Sequence, residues 1–182
     1  MGHAGNGSAD GAKEPEAWHD LRPLESRVQA LAEALGRRQW RLATAESCTG
    51  GLIAAACTAV PGSSDWFDRG FVTYSNAAKT ESLGVDADLI ARYGAVSEPV
   101  ALAMATGTLQ RTPADLAVAV TGIAGPTGGS PDKPVGLVWM AVACRGRAAH
   151  AWRLQLAGDR AAVRGQSALR ALDALIEAAR PG

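Results

Sequence analysis

Apolar residues recur along this chain with two different periods, and segments of the two kinds alternate. Leu24, Val28, Leu31 and Leu35 fall at spacings of four, three and four, one stripe along a helix over 21–35, with Gly36 as its stop. "WRLATA" (40–45) then reads as a short strand, and 50–59 as an all-apolar helix closed by Pro61-Gly62. "FDRGFVTYS" (67–75) is a second strand, followed by a short helix at 76–84 with Asn76 as its N-cap, another at 86–92, and a third started by Ser97 and running to 110. "DLAVAVTG" (115–122) is a buried strand, while "VGLVWMAVAC" and "AAHAWRLQL" form a strand pair turning at Arg145-Gly146. Asp159 caps a last helix, on which Leu169, Leu172 and Ile176 keep the helical spacing. Strands interleaved with amphipathic helices, plus one terminal hairpin, predict α/β architecture: a single three-layer α/β/α domain with a mixed β-sheet. Residues 1–17, rich in Gly, Ala and Glu without periodicity, read as a disordered leader or tag remnant, leaving 18–182 as the domain.

In open sheets of this kind ligands gather at the carboxyl ends of strands. Three polar segments occupy such ends: "ESCTGG" (46–51), "TYSNAAK" (73–79) and "TGIAGPTGG" (121–129). Composition limits what they can do. Lys plus Arg equals Asp plus Glu at 18 each, so the surplus positive charge of a duplex-binding surface is missing. No apolar run reaches membrane-spanning length, and no signal peptide opens the chain. Cys48, Cys57 and Cys144 are odd in number and lack C-x-x-C spacing, which argues against a disulfide framework and a zinc cluster. The default is a reduced, cytoplasmic protein. His3, His19 and His150 are too few and too poorly placed for a Ser-His-Asp triad or a histidine metal site.

Within the first segment, Ser47 stands at a strand exit and the start of a buried helix. Free N–H groups there can cradle an anion or an oxyanion, and Gly50 and Gly51 let the backbone come close. Ser47 or Thr49 can equally serve as a plain helix cap. Cys48 is a rival nucleophile without a histidine to ionise it. Only three of the eighteen basic residues are lysines, Lys13, Lys79 and Lys133. A buried lysine can shed its proton and an arginine cannot, so Lys79 folded toward Ser47 is a candidate base, with a solvated surface lysine as the alternative. Tyr74 can relay a proton or be an ordinary edge aromatic. "TGIAGPTGGSPDKPVG" (121–136) carries neither a Walker loop nor G-x-G-x-x-G, and reads as a shaped binding loop or a long connector, with Lys133 placed to meet a phosphate.

Taken together, "TAESCTGGLIAAA", "VPGSSDWFDRGFVTYSNAAKTESLGV", "YGAVSEPVALAMA", "VAVTGIAGPTGGSPDKPVGLVWMAVA" and "GDRAAVR" closely resemble the CinA C-terminal domain family, over residues 21 to 178. The family's best-known activity is nicotinamide-nucleotide amidohydrolase. The resemblance implies a three-layer α/β/α domain that deamidates nicotinamide mononucleotide to nicotinic acid mononucleotide and ammonia. It implies a serine nucleophile assisted by Lys and Tyr, matching Ser47, Lys79 and Tyr74. The pocket walls it implies are Glu46, Cys48, Thr49, Gly50 and Gly51 on the first segment and Asn76 on the second. Thr121, Gly122, Ile123, Ala124, Gly125 and Lys133 complete them on the third. No metal and no cofactor is called for. The expected partner is the small nucleotide, with no nucleic acid and no membrane, and the chain is expected to form a homo-oligomer. Longer family members carry a further domain resembling molybdopterin-binding proteins, which these 182 residues do not contain. A catalytically silent nucleotide- or partner-binding module linked to competence or DNA damage is the alternative; direct association with DNA is disfavoured by the neutral charge.

Overall fold

The computed structural model describes residues 21–180, so the leader expected at 1–17 lies outside the described residues. A five-stranded sheet forms the middle layer, in the order β2-β1-β3-β4-β5. Its strands are β1 (Leu42–Glu46), β2 (Phe67–Val72), β3 (Leu116–Gly122), β4 (Leu137–Cys144) and β5 (His150–Gln155). β1 runs parallel to β2 on one side and β3 on the other, whereas β4 and β5 add antiparallel. The expected mixed sheet is therefore present, and the carboxyl ends of its three parallel strands share one edge.

The strands separate large from small side chains. Val118, Val120, Val138, Met140 and Val142 belong to one core, with α1 (Arg22–Arg38), α2 (Leu52–Thr58) and α6 (Arg160–Ala179). Ala43, Ala45, Ala117, Ala119, Ala141 and Ala143 belong to the other, against α5 (Glu98–Gln110), with α3 (Asn76–Leu83) and α4 (Ala87–Tyr93) beside it. Alternation along a strand sends neighbours to opposite faces. A face built of methyl groups lets α5 lie close, and the bulkier face fills the wider gap under α6.

Several element ends differ from the sequence reading. Gly36 does not stop α1; the helix continues to Arg38, and Gln39 closes it in the left-handed region at φ 54°. The second strand ends at Val72 rather than Ser75, because Thr73 and Tyr74 leave the sheet to enter the site. Ser75, not Asn76, caps α3, its hydroxyl accepting from the Ala78 amide at 3.0 Å. Extended backbone at Ser75 suits a cap, whereas Asn76 is already helical. The apolar helix begins at Leu52, since Gly50 and Gly51 both take positive φ. Asp159 does cap α6, through the Ala162 amide at 2.8 Å.

α3 is held in place by a close crossing with α5. A Cβ at Gly107 would fall inside the Leu83 carbonyl at the end of α3. Gly107→Ala is therefore expected to cost about 1–3 kcal/mol as α3 is pushed outward. A urea titration checks this, and a midpoint equal to that of the wild type would show that the two helices separate freely.

Candidate active site

The three polar segments meet at the carboxyl edge of the parallel strands. Ser47 is the first residue past β1, and its amide donates to the Val120 carbonyl at 3.0 Å, which pins it beside β3. Thr73, one residue past β2, donates its amide to the Glu46 carbonyl at 2.9 Å. α3 then turns Lys79 inward, where the side chain is 1% exposed. Lys79 Nζ lies 3.1 Å from Ser47 Oγ and donates to the Thr73 carbonyl at 2.8 Å. No carboxylate among the described residues forms an ion pair with it. Burial, which penalises the charged ammonium, lowers its pKa from the ordinary lysine value.

Lys79 and Ser47 open onto a cavity of about 220 Å³ that Cys48, Tyr74, Asn76, Thr121, Gly122 and Ala124 also line. Thr121 Oγ1 donates to the Ala95 carbonyl at 3.0 Å, holding the 95–96 segment as a further wall. At Gly122 a Cβ would come within 2.9 Å of the Leu137 carbonyl and 3.1 Å of the Cys48 sulfur, so only glycine lets Cys48 sit there. Cys48 is buried, and its thiol is pushed up to about 11, chiefly by burial and further by the Glu46 carboxylate. It stays protonated near neutral pH, which makes it a poor nucleophile.

The remaining expected residues sit elsewhere. Glu46 is 1% exposed and turns away from the cavity; its carboxylate accepts from the amides of Ile53 (3.0 Å) and Ala54 (2.8 Å) and from the Thr44 hydroxyl (3.3 Å). The start of α2 is consequently filled by a carboxylate from within the chain, which corrects the expectation of a free anion cradle there. Thr49 is buried behind Cys48, and its carbonyl accepts from Arg164 at 2.9 Å. Gly50 and Gly51 form the turn, outside the cavity lining. Ile123 extends the β3–β4 ladder by bonding Leu137 and Gly136. Gly125 offers its carbonyl to Arg160 at 3.0 Å. Lys133 donates to the Tyr93 carbonyl at 2.7 Å, at the end of α4, and does not line the cavity.

Arg160 is the site residue that the sequence reading did not single out. It lines the cavity, and its second guanidinium nitrogen donates to Tyr74 Oη at 2.9 Å. Its signal was the "GDRAAVR" segment, which carried the family resemblance and, through Asp159, a helix start, without any residue of it being assigned to the site. Tyr74 itself is 60% exposed at the mouth. Among the described residues no three His, Cys, Asp or Glu side chains gather to hold a metal, and no helix is long and apolar enough to cross a membrane. A larger groove of about 650 Å³ between β5 and α6 contains His150, at the opposite end of the sheet, and none of the expected site residues.

The chain is similar to known proteins in sequence and in fold. The sequence model of the CinA C-terminal domain matches residues 24–179. A nicotinamide-nucleotide amidohydrolase PncC from Enterobacter agglomerans is 54% identical over 142 residues, covering 78% of this chain and 87% of that protein. A putative competence-damage inducible protein from Symbiobacterium thermophilum is 49% identical over 186 residues, covering 88% of this chain; the chain spans only 44% of that protein's length. Among solved structures, the competence/damage inducible protein CihA from Agrobacterium tumefaciens superposes with a TM-score of 0.84 at 44% identity, covering 86% of this chain and 96% of that one.

Glu46 ties β1 to α2 across the Ser47 turn. Glu46→Ala orphans two buried amides at a cost of about 1–3 kcal/mol each. Chemical denaturation should register a loss of that size, and a loss below half a kcal/mol would mean that water or another group replaces the carboxylate.

Proposed function

We propose that this chain, which belongs to the CinA C-terminal domain family, hydrolyses the carboxamide of nicotinamide mononucleotide to nicotinic acid mononucleotide and ammonia. The observation that carries the reading is the buried amine of Lys79, 3.1 Å from the Ser47 hydroxyl and without a carboxylate to keep it charged. A general base must lie within about 2.6–3.2 Å of the proton it takes. A neutral amine has two N–H groups and one lone pair. One N–H on the Thr73 carbonyl leaves the lone pair free to face Ser47.

In this reading Ser47 Oγ attacks the amide carbon while its proton passes to Lys79 Nζ. The amides of Cys48 and Thr49 turn toward the Cys48 sulfur in the free protein, and they are the donors we assign to the developing oxyanion. Collapse of the tetrahedral adduct breaks the C–N bond. The proton held by Lys79 goes to the departing nitrogen, with Tyr74 assisting at the mouth, and ammonia leaves. Water, deprotonated by the same amine, then cleaves the acyl-serine, which restores the hydroxyl and frees the carboxylate. The PncC name of a relative 54% identical to this chain supports the choice of substrate. In Tyr74, the contact from Arg160 fixes the ring over the opening.

Purified protein incubated with nicotinamide mononucleotide should release ammonia, and a chelator should leave the rate unchanged, since Ser47 and Lys79 supply nucleophile and base. No ammonia at any protein concentration would reduce the site to a nucleotide-binding pocket.

Lys79→Arg separates the base from a mere positive charge. A guanidinium stays protonated at any working pH, so turnover should fall by about 10²- to 10⁴-fold, with Ser47→Ala similarly impaired. The neutral amine is the active form. In the wild type, kcat/KM therefore rises with pH through the lowered pKa of Lys79 and levels off above it, and the variant lacks that limb. Turnover of Lys79→Arg within a few-fold of wild type would make Lys79 a binding residue instead.

A further inference from the structure

The cavity at Ser47, at about 220 Å³, is smaller than the roughly 300–1,000 Å³ of small-molecule pockets. It accommodates a ring and its carboxamide, and a nucleotide must continue beyond it. A second compartment of about 480 Å³ adjoins it, and the two share Ala124 and Arg160 in their walls. On the far side the second compartment is bounded by Pro126, Val135, Ala161 and Arg164. Arg160 and Arg164 stand one turn apart on α6, so both guanidinium groups lie on the same side of that helix.

The charge of these two arginines is not neutralised. Arg160 donates to two neutral oxygens, the Gly125 carbonyl and Tyr74 Oη, and Arg164 donates to the Thr49 carbonyl. No ion pair among the described residues includes either. The compartment's one carboxylate, Asp159, accepts from the Ala162 amide as the cap of α6. A guanidinium carries five N–H donors, so both keep groups to offer, in the planar fork that suits a phosphate. Lys133, the residue that the sequence offered for this task, is committed to Tyr93 and lines neither compartment.

We propose that the second compartment is an anion subsite, in which Arg164 binds the phosphate of a nucleotide whose carboxamide lies at Ser47. Arg160, on the shared wall, touches both halves of the ligand, whereas Arg164 lines only the far one. The proposal rests on the amidohydrolase reading for the identity of the ligand, and the tests separate the two.

Ribose 5-phosphate is the probe for the subsite alone, measured by isothermal titration against wild type, Arg164→Gln and Ala161→Glu. The second variant leaves the Thr49 contact intact and sets a carboxylate three residues before Arg164, in the first turn of α6, where an acid favours the helix. Wild type should bind ribose 5-phosphate more tightly than ribose, and both variants should lose roughly 10- to 100-fold, the scale of a charge-assisted contact. In turnover, the ratio of kcat/KM for nicotinamide mononucleotide over nicotinamide riboside should fall at least about tenfold in both. Unchanged ribose 5-phosphate binding in the variants, or equal loss on nucleotide and nucleoside substrates, overturns the subsite. A wild type that binds the probe through Arg164 but releases no ammonia keeps the subsite and removes the amidohydrolase reading. Ammonia release with an unaltered substrate ratio in the variants does the reverse.

Discussion

The carboxylate of Glu46 joins the end of the central strand to the start of the buried helix that follows, and the site is built around that bond. Two amides that would otherwise be orphaned at the head of α2 are satisfied from inside the protein. The five residues between Glu46 and Leu52 must then span a fixed gap, which they do with Gly50 and Gly51 at positive φ. Ser47 is consequently held by the fold on both sides, by β3 through its amide and by α2 through its neighbour's carboxylate. In the proposed reaction, a serine held in this way loses little freedom when it attacks.

In the proposed mechanism, a buried Lys79 takes the part that a histidine takes in a triad. A Lys in water is charged and useless as a base; buried beside Ser47 and the Thr73 carbonyl, with no ion pair among the described residues, Lys79 is biased toward the neutral amine. The same enclosure acts on Cys48 in the opposite chemical sense, keeping the thiol protonated. One dry environment therefore favours the neutral amine and the protonated thiol together. The alanine face of the sheet contributes, since it lets α5 lie close, and Gly107 lets α3 lie close to α5 in turn.

The two helix layers have different tasks. α3, α4 and α5 bring Lys79 and the 95–96 wall to the cavity at Ser47, while α6 brings Arg160 and Arg164 to its other side. Tyr74 spans the layers, carried by the strand that leads to α3 and bonded to the helix on the opposite face. Groups that lie 86 residues apart in sequence, such as Tyr74 and Arg160, become neighbours because both β2 and α6 reach the same sheet edge.

The alternation of periods in the sequence was enough to determine the elements and the layered mixed sheet, because burial of an apolar stripe or face is a local property of each segment. It also brought "ESCTGG", "TYSNAAK" and "TGIAGPTGG" to one edge, since parallel strands place their carboxyl ends together. The scarcity of lysine pointed to Lys79 for a physical reason, the inability of arginine to lose its proton. What the sequence did not contain was direction. Whether Glu46 faces the cavity or α2, whether Lys133 meets a ligand or the end of α4, and where α1 stops were settled by packing. Arg160 and Arg164 lie in a segment that carried the family resemblance, but that neither forms an ion pair among the described residues is visible only in the fold. Side-chain orientation and charge balance depend on neighbours distant in the chain, and only the folded protein assembles them.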